Sequence, residues 1–442
     1  MRPGARIQSA IELLDQIEDR EAPADRVVDG YMRRRRFAGS GDRAAILALV
    51  YAVLRRRAEL DWRLERGGGE AAPRARSRVL AALALIEGRE GPEIEALFDG
   101  ARFAPPPLEE AERTLLAALL AALASPAGAA PAMPAWVRGN YPEWLADELA
   151  ARFGDDLDDE ARALNERAPV DLRVNRLKAG REAVLERLRH DGVEAEPCRL
   201  SPLGIRLGGR ARVTARPAYR QGLVEVQDEG SQLVALIVGA RPGEQVIDLC
   251  AGAGGKTLAL AAEMANRGQV YACDVSAQRL RRMAPRLQRA GVRNVQARQL
   301  AALDDPWLAT LDGKADRVLL DAPCSGSGAW RRNPDAKWRL TPAELAAHAE
   351  AQARLLARAA RLVRPGGRLV YATCSLLRPE NEAQVECFRA AHGGFRVLPI
   401  ATAWAESVGG ACPTDEAMLM LKPGRHGVDG FFVAVLAREV ES

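Results

Sequence analysis

Two cysteines stand out by their setting. Cys324 lies in Asp321-Ala322-Pro323-Cys324-Ser325-Gly326-Ser327-Gly328, and Cys374 in Tyr371-Ala372-Thr373-Cys374-Ser375. Each follows an apolar, strand-like run and sits among small polar residues. A thiol so placed becomes a nucleophile once a helix terminus or a neighbouring cation lowers its pKa. The alternative is a small buried hydrophobe, the usual fate of a free cysteine, and it suits Cys250, Cys273, Cys387 and Cys412 better. None of the seven cysteines forms a Cys-x-x-Cys pair. That argues against a disulfide framework and a zinc site, and for a reducing, cytoplasmic setting. The four histidines (His190, His348, His392, His426) show no ligand spacing, so no metal is expected.

The second constellation is Asp248-Leu249-Cys250-Ala251-Gly252-Ala253-Gly254-Gly255-Lys256-Thr257. It follows an apolar strand and opens a helix. Its glycines let the backbone approach a ligand, and the helix N-terminus offers free N–H groups. Asp274 ends the next strand, where an acid suits a ribose diol. Three ligands compete. A dinucleotide loop needs a third glycine where Thr257 stands. A P-loop ends as Gly255-Lys256-Thr257 does, and Val318-Leu319-Leu320-Asp321 imitates a Walker B strand, but Cys250 stands where the first glycine belongs. The third is S-adenosylmethionine, with the loop at its methionine part and the acid at its ribose. Spacing leaves all three open.

These residues need a frame that brings strand ends together. From Gly243 onward the pattern runs strand, loop, helix, repeatedly. Candidate strands are Gln245–Leu249, Gln269–Cys273, Asn294–Arg298, Arg317–Leu320 and Arg368–Ala372. Helical stretches between most of them predict an α/β fold with a doubly wound, mostly parallel sheet, which binds ligands at the C-terminal ends of its strands. Upstream, residues 5–124 read as all-helical, with Ala44–Arg66 as one long helix, broken by Gly67-Gly68-Gly69 and Pro105-Pro106-Pro107. Residues 125–135 form a Pro/Ala/Gly linker. Residues 136–220 mix helices (Pro142–Phe153, Leu157–Glu166, Arg181–His190) with strand-like pieces (Asp171–Arg176, Gly204–Leu207, and Leu223–Val226 just beyond) and suggest a small α+β unit. Residues 221–442 complete the division.

Composition bounds the class. Of 442 residues, 48% are hydrophobic and 28% charged, a globular balance that excludes wholesale disorder. No apolar run is long enough for a membrane span, and Met1-Arg2-Pro3-Gly4 opens no signal-peptide pattern. The net charge is only +4, but five of the 63 basic residues are lysine and 58 are arginine. Residues 26–78 carry 14 arginines against 6 acids, while the rest of residues 1–135 reverses that balance. The basic stretch reads either as an RNA-phosphate patch or as solvated helix faces balanced by nearby acids. No feature demands an oligomer, so a monomer is expected.

Asp-Ala-Pro-Cys-Ser-Gly at 321–326 followed by Thr-Cys-Ser at 373–375 resembles the RNA cytosine-5 methyltransferases of the Nop/Sun type. Residues Val224–Leu233, Asp335-Ala336-Lys337-Trp338 and Asp429-Gly430-Phe431-Phe432 resemble the same family, over about residues 170–438. The helical N-terminus is similar to the NusB-like RNA-binding domain of the branch that modifies 16S ribosomal RNA. The resemblance implies a Rossmann-like class I domain that uses S-adenosylmethionine. It implies that Cys374 attacks C6 of a cytosine, that Asp321 holds the N3/N4 edge, and that Cys324 assists loss of the C5 proton and release of Cys374. Lys256 is then near the base or the methionine carboxylate, Asp274 on the ribose, and Cys250, Ala251, Gly252, Ala253, Gly254, Gly255 and Lys256 around the cofactor, with Asp321 beside it. Apart from the resemblance, Arg331-Arg332 just after the Cys324 loop reads either as a holder of RNA phosphates or as an exposed turn. Two positions depart from the family: Gly252-Ala253 replaces Ala-Pro, and Leu300 stands where an Asp is usual, with Asp304 and Asp305 close behind.

Overall fold

The computed structural model describes residues 1–19, 22–68, 74–124, 132–209 and 213–440. It divides into two compact units, Met1–Arg167 with Trp330–Leu340, and Ala168–Ala329 with Thr341–Ser442. Among the described residues no helix is long and apolar enough to cross a membrane.

The first unit is helical. Its main helices are Pro3–Glu18, Ala24–Arg34, Ser40–Arg55, Arg57–Arg66, Ala75–Leu85 and Glu110–Ala124. The stretch expected as one helix, Ala44–Arg66, turns at Arg56 (φ −110°), whose guanidinium closes onto Glu59 at 2.6 Å. Helix Ala75–Leu85 is apolar on nearly every side and lies at the centre of the core, as such a helix must. Its one buried charge, Arg78, is held by Asp61 and Glu18 at 2.7 and 2.6 Å. Helices Ala146–Phe153 and Leu157–Asn165 also fall in this unit, although they follow the Pro/Ala stretch. Residues 125–131 of that stretch lie outside the described residues.

Trp330–Leu340 belongs to the helical unit although its neighbours in sequence do not. Asp335 accepts the free N–H of Ala24 at the start of helix Ala24–Arg34 (3.0 Å). Lys337, fully buried, donates to Asn165 (2.5 Å) and to the Arg55 carbonyl (3.2 Å). The Trp338 indole donates to the Leu54 carbonyl at 2.7 Å. The Asp-Ala-Lys-Trp motif thus docks this stretch onto the helices.

The second unit holds two sheets. Strands β1 (Val170–Val174), β2 (Ala195–Pro197), β3 (Gly204–Leu207) and β4 (Val224–Val226) form an antiparallel sheet in the order β2-β3-β1-β4, with helix Arg181–His190 packed in the same core. Its last strand matches the expected piece Leu223–Val226 and lies past the boundary drawn at residue 220. The larger sheet comprises β5 (Gln245–Asp248), β6 (Gln269–Asp274), β7 (Val295–Gln299), β8 (Ala315–Asp321), β9 (Val363–Thr373), β10 (Phe395–Leu398), β11 (Leu419–Leu421) and β12 (Phe431–Arg438). Its order is β10-β12-β9-β8-β5-β6-β7, with β11 paired to β12. Strands β9, β8, β5, β6 and β7 run parallel and β12 runs antiparallel to β9. This is the Rossmann-like arrangement. The chain winds from β5 out through β6 to β7, then resumes at β8 on the other side of β5. The crevice at the β5/β8 switch is where such sheets bind ligands.

Candidate active site

Four neighbouring strands end at the site. β5 ends in Asp248, β6 in Asp274, β8 in Asp321 and β9 in Thr373. Between β5 and its helix the Gly-rich loop turns sharply. Gly254 (φ +82°) starts helix Gly255–Glu263, and a Cβ there would lie 2.4 Å from Met283 Cγ. Only glycine meets both demands. The Gly252 N–H donates to Asp274 Oδ2 at 2.8 Å, and Asp274 Oδ1 accepts the Ser276 N–H at 2.7 Å.

A cavity of about 630 Å³ opens here. Cys250, Ala251, Gly252, Ala253, Gly255, Lys256, Asp274 and Asp321 line it, so all the nominated cofactor residues but Gly254 reach it. Asp248 does too, a residue the sequence reading gave no role. Thr257 donates to Asp248 Oδ2 at 2.7 Å, while its buried Oδ1 has no hydrogen-bond partner. Burial pushes this carboxyl up to about 7, with Asp321 and Asp274 adding to the effect. Leu300, buried, also lines the cavity. Asp305 is spent otherwise: it accepts the Ala301 and Trp307 N–H groups at the start of helix Pro306–Ala309. Three acidic side chains (Asp248, Asp274, Asp321) and three basic ones (Lys256, Arg279, Arg286) face the space, which fits a nucleoside that carries both a cationic centre and a carboxylate, and Asp248 keeps one unpartnered buried oxygen. Burial pushes the Cys250 and Cys273 thiols up, Cys273 to about 12, so neither is a nucleophile.

Lys256 and Asp321 form an ion pair at 2.6 Å, with the ammonium 5.2 Å from the centre of the Phe431 ring. Beyond Asp321 the strand ends of β8 and β9, in register at Asp321 and Ala372, bring Cys324 Sγ and Cys374 Sγ to 3.4 Å. The hydrogen bond to Cys374 and burial both raise the Cys324 thiol well above its ordinary value, and either sulfur can be the donor in this pair. The loops are locked from behind. Gly328 N–H donates to the Cys374 carbonyl (2.9 Å) and Gly430 N–H to the Gly328 carbonyl (2.8 Å). A Cβ on Gly328 would lie 2.2 Å from the Gly430 oxygen, which accounts for both glycines and for the Asp-Gly-Phe-Phe motif.

Sequence reasoning missed Glu380. Its carboxylate is buried and accepts from the Ser325 N–H (2.8 Å), the Ser325 and Ser375 hydroxyls and the Gln352 amide (3.1 Å). It therefore ties the residue after Cys324 to the residue after Cys374. Nothing in its own surroundings, Arg378-Pro379-Glu380-Asn381-Glu382, announces this; the signal is the serine that follows each cysteine. Arg331, nominated for phosphate, is buried, and only Arg332 of that pair is partly exposed. Among the described residues, Asp171, Cys198 and Glu229 lie close enough together to hold a metal ion, but Arg206 supplies the positive charge there and bonds Asp171 at 2.8 and 3.0 Å.

Comparison with known proteins accords with this geometry. A model of the 16S rRNA methyltransferase RsmB/F family matches residues 235–437, and one of the ferredoxin-like domain of RsmF/B-like methyltransferases matches residues 141–214. A ribosomal RNA small subunit methyltransferase B from Xylella fastidiosa is 35% identical over 417 residues, 90% of this chain and 92% of that one. A probable ribosomal RNA small subunit methyltransferase B from Synechocystis is 36% identical over 301 residues, 68% of this chain and 67% of its own length. The crystal structure of PH0851 superposes with a TM-score of 0.76 at 28% identity, covering 99% of both chains. This chain belongs to the 16S rRNA methyltransferase RsmB/F family.

Proposed function

We propose that this protein transfers a methyl group from S-adenosylmethionine to C5 of a cytosine in 16S ribosomal RNA, through a covalent bond between Cys374 and C6. The observation that carries the reading is the pair of thiols 3.4 Å apart beside the Lys256–Asp321 ion pair. S-adenosylmethionine supplies an electrophilic methyl group when bound. The Gly-rich loop, Asp248 and Asp274 would hold it, and Asp321, which lines the same cavity, would hold the N3/N4 edge of the base.

The thiols divide the work. Cys374 gives its proton to solvent and attacks C6 as the thiolate, with the Cys324 thiol in hydrogen-bond reach at 3.4 Å to stabilise it. Addition puts the electron pair on C5, which takes the methyl group. Cys374 is now a thioether and carries no negative charge, so the two largest influences of Cys374 on Cys324 are gone. Cys324 can then give its own proton to solvent and, as the thiolate, take the one on C5. The electron pair returns to the C5–C6 bond and expels Cys374. The target base must leave its stack or come from a loop to reach these thiols. The helical unit, similar to NusB-like domains, holds RNA, and the monomer suffices.

The test uses unmodified small-subunit ribosomal RNA, labelled methyl donor and the unaltered protein with Cys374→Ala and Cys324→Ala. The expected result is label on cytosine C5, no transfer by Cys374→Ala, and a denaturation-resistant protein–RNA adduct with Cys324→Ala. Transfer by Cys374→Ala at the unaltered rate would refute the mechanism. Leu300 in the cavity lining favours a second reading, a non-catalytic RNA-binding assembly factor. Normal RNA binding with no transfer to ribosomal or transfer RNA would put that reading first.

A further inference from the structure

The helical unit carries a groove of about 880 Å³ remote in sequence from the thiols. Phe37 on one side and Phe103 on the other line it, and they are 75% and 70% exposed. Large aromatic side chains normally hide that surface. Phe103 is further set apart by its backbone, which holds φ +72°. A bulky residue there is a genuine outlier, and such strain persists mainly where a site uses it. The turn that enforces it is closed by Ala104 N–H on the Ala101 carbonyl (2.8 Å) and Gly100 N–H on the Pro105 carbonyl (3.0 Å).

The charge of the groove has one sign. Arg2, Arg34 and Arg102 line it, are exposed, and make no ion pair among the described residues. The one acid in the lining, Glu12, is neutralised by Arg35 at 2.6 Å and accepts the Tyr31 hydroxyl at 2.8 Å. Arg102 lies 4.9 Å from the centre of the Phe103 ring, an extension of the stacking surface. Arg34 donates only to the neutral Gln16 amide (3.4 Å), so exposed aromatic faces here interleave with guanidiniums that no acid among the described residues neutralises, which is what an unpaired nucleic-acid strand requires: π-faces for bases and cations for phosphates.

We infer that this groove binds an unpaired stretch of RNA, with bases stacked on Phe37 and Phe103 and phosphates held by Arg2, Arg34 and Arg102. The inference deepens the proposed function and rests on its RNA substrate. The site serves to hold RNA outside the reaction centre, so it governs affinity and leaves the chemical step alone.

The experiment measures binding of a fluorescein-labelled ten-nucleotide oligouridine to the full chain. The variants are Phe37→Ala, Phe103→Ala, Phe103→Gly, Arg34→Ala with Arg102→Ala, and Cys374→Ala. Each Phe→Ala change is expected to weaken binding about tenfold, the usual scale for one stacked base. The double arginine change is expected to lower the slope of log K against log salt by about 1.4, two phosphate contacts on a single strand. Phe103→Gly separates binding from folding. Glycine relieves the positive φ, so the variant is expected to melt at or above the unaltered protein's temperature while binding more weakly. Methyl transfer to 16S ribosomal RNA is followed in parallel, with KM expected to rise in the groove variants and kcat to hold. Unchanged oligouridine affinity in both Phe→Ala variants would overturn the inference even if methyl transfer is robust. Conversely, a binding loss in these variants alongside an unaltered protein that transfers no methyl group would sink the proposed chemistry and leave the groove standing.

Discussion

Asp248 gives the sharpest quantitative test of the cofactor cavity. The side chain is fully buried, one oxygen takes the Thr257 hydroxyl and the other has no partner. Burial raises its pKa from 3.8 to about 7. The sign follows from proton counts. Between the two values the folded state holds a proton that the unfolded state has lost, so stability falls as pH rises and levels off above about 7. A shift of about three units corresponds to an upper limit of about 4 kcal/mol for the whole titration. About 2.5 kcal/mol of that falls between about pH 5 and pH 8, because part is already lost by pH 5. Asp248→Asn keeps an acceptor for Thr257 and removes the titration. It also buries an amide N–H₂, at a cost of about 1–3 kcal/mol that does not change with pH. The readout is therefore the slope and not the offset. Denaturant unfolding at several pH values should show the variant gaining on the unaltered protein by about 2.5 kcal/mol from about pH 5 to pH 8. A difference constant over that range would refute the burial argument. The same proton links to the cofactor: a cationic ligand favours the carboxylate, so affinity for S-adenosylmethionine should rise with pH toward about 7 in the unaltered protein and stay flat in Asp248→Asn.

Other substitutions test the loops and the docking segment. Glu380→Gln puts an N–H₂ group among donors, so methyl transfer should slow more than tenfold in kcat while cofactor affinity, measured by calorimetry, is unchanged. Gly328→Ala drives a Cβ to 2.2 Å from the Gly430 oxygen; it should destabilise the protein by roughly 1–3 kcal/mol in denaturant titration and slow transfer as the thiol loops part. An equally stable Gly328→Ala protein would mean the crossing is looser than described. Trp338→Phe leaves the Leu54 carbonyl without its indole donor and should cost about 1–2 kcal/mol in thermal unfolding, with kcat retained.

Much of the catalytic sheet was legible because its strands are separated by helices. The five expected strands appear, shifted by at most five residues at their ends, and the chemistry sits where a doubly wound sheet places it. What escaped was the far edge. β10 and β11 are four and three residues long, and β12 is buried along most of its length, so neither length nor alternation marks them. The long helix over Ala44–Arg66 was overread because the apolar spacing continues through Arg56, where the backbone does not. The charge segregation of the N-terminal region had two readings, and the ion pairs bear on the one in which nearby acids balance the basic faces. Arg35, Arg76 and Arg78 take acids from beyond residues 26–78, namely Glu12, Glu112 and Glu18. Arg34 remains exposed with no ion pair among the described residues.

The site shows a sharper division. The residues nominated for the ligand declared themselves by type: thiols, acids at strand ends, glycines in a turn. Residues that hold those groups did not, because their evidence is three-dimensional. Glu380 lies 55 residues from Ser325 and five from Ser375, and only the adjacency of β8 and β9 makes one carboxylate reach both. Gly328 and Gly430 are ordinary glycines until their loops cross. Asp248 is one more acid at the end of a strand until burial sets its proton. A sequence names the reacting atoms through their chemistry. The parts that set distance and protonation state emerge only when the sheet order is known, and that is why the variants most informative about mechanism are Glu380→Gln and Asp248→Asn as well as the cysteines themselves.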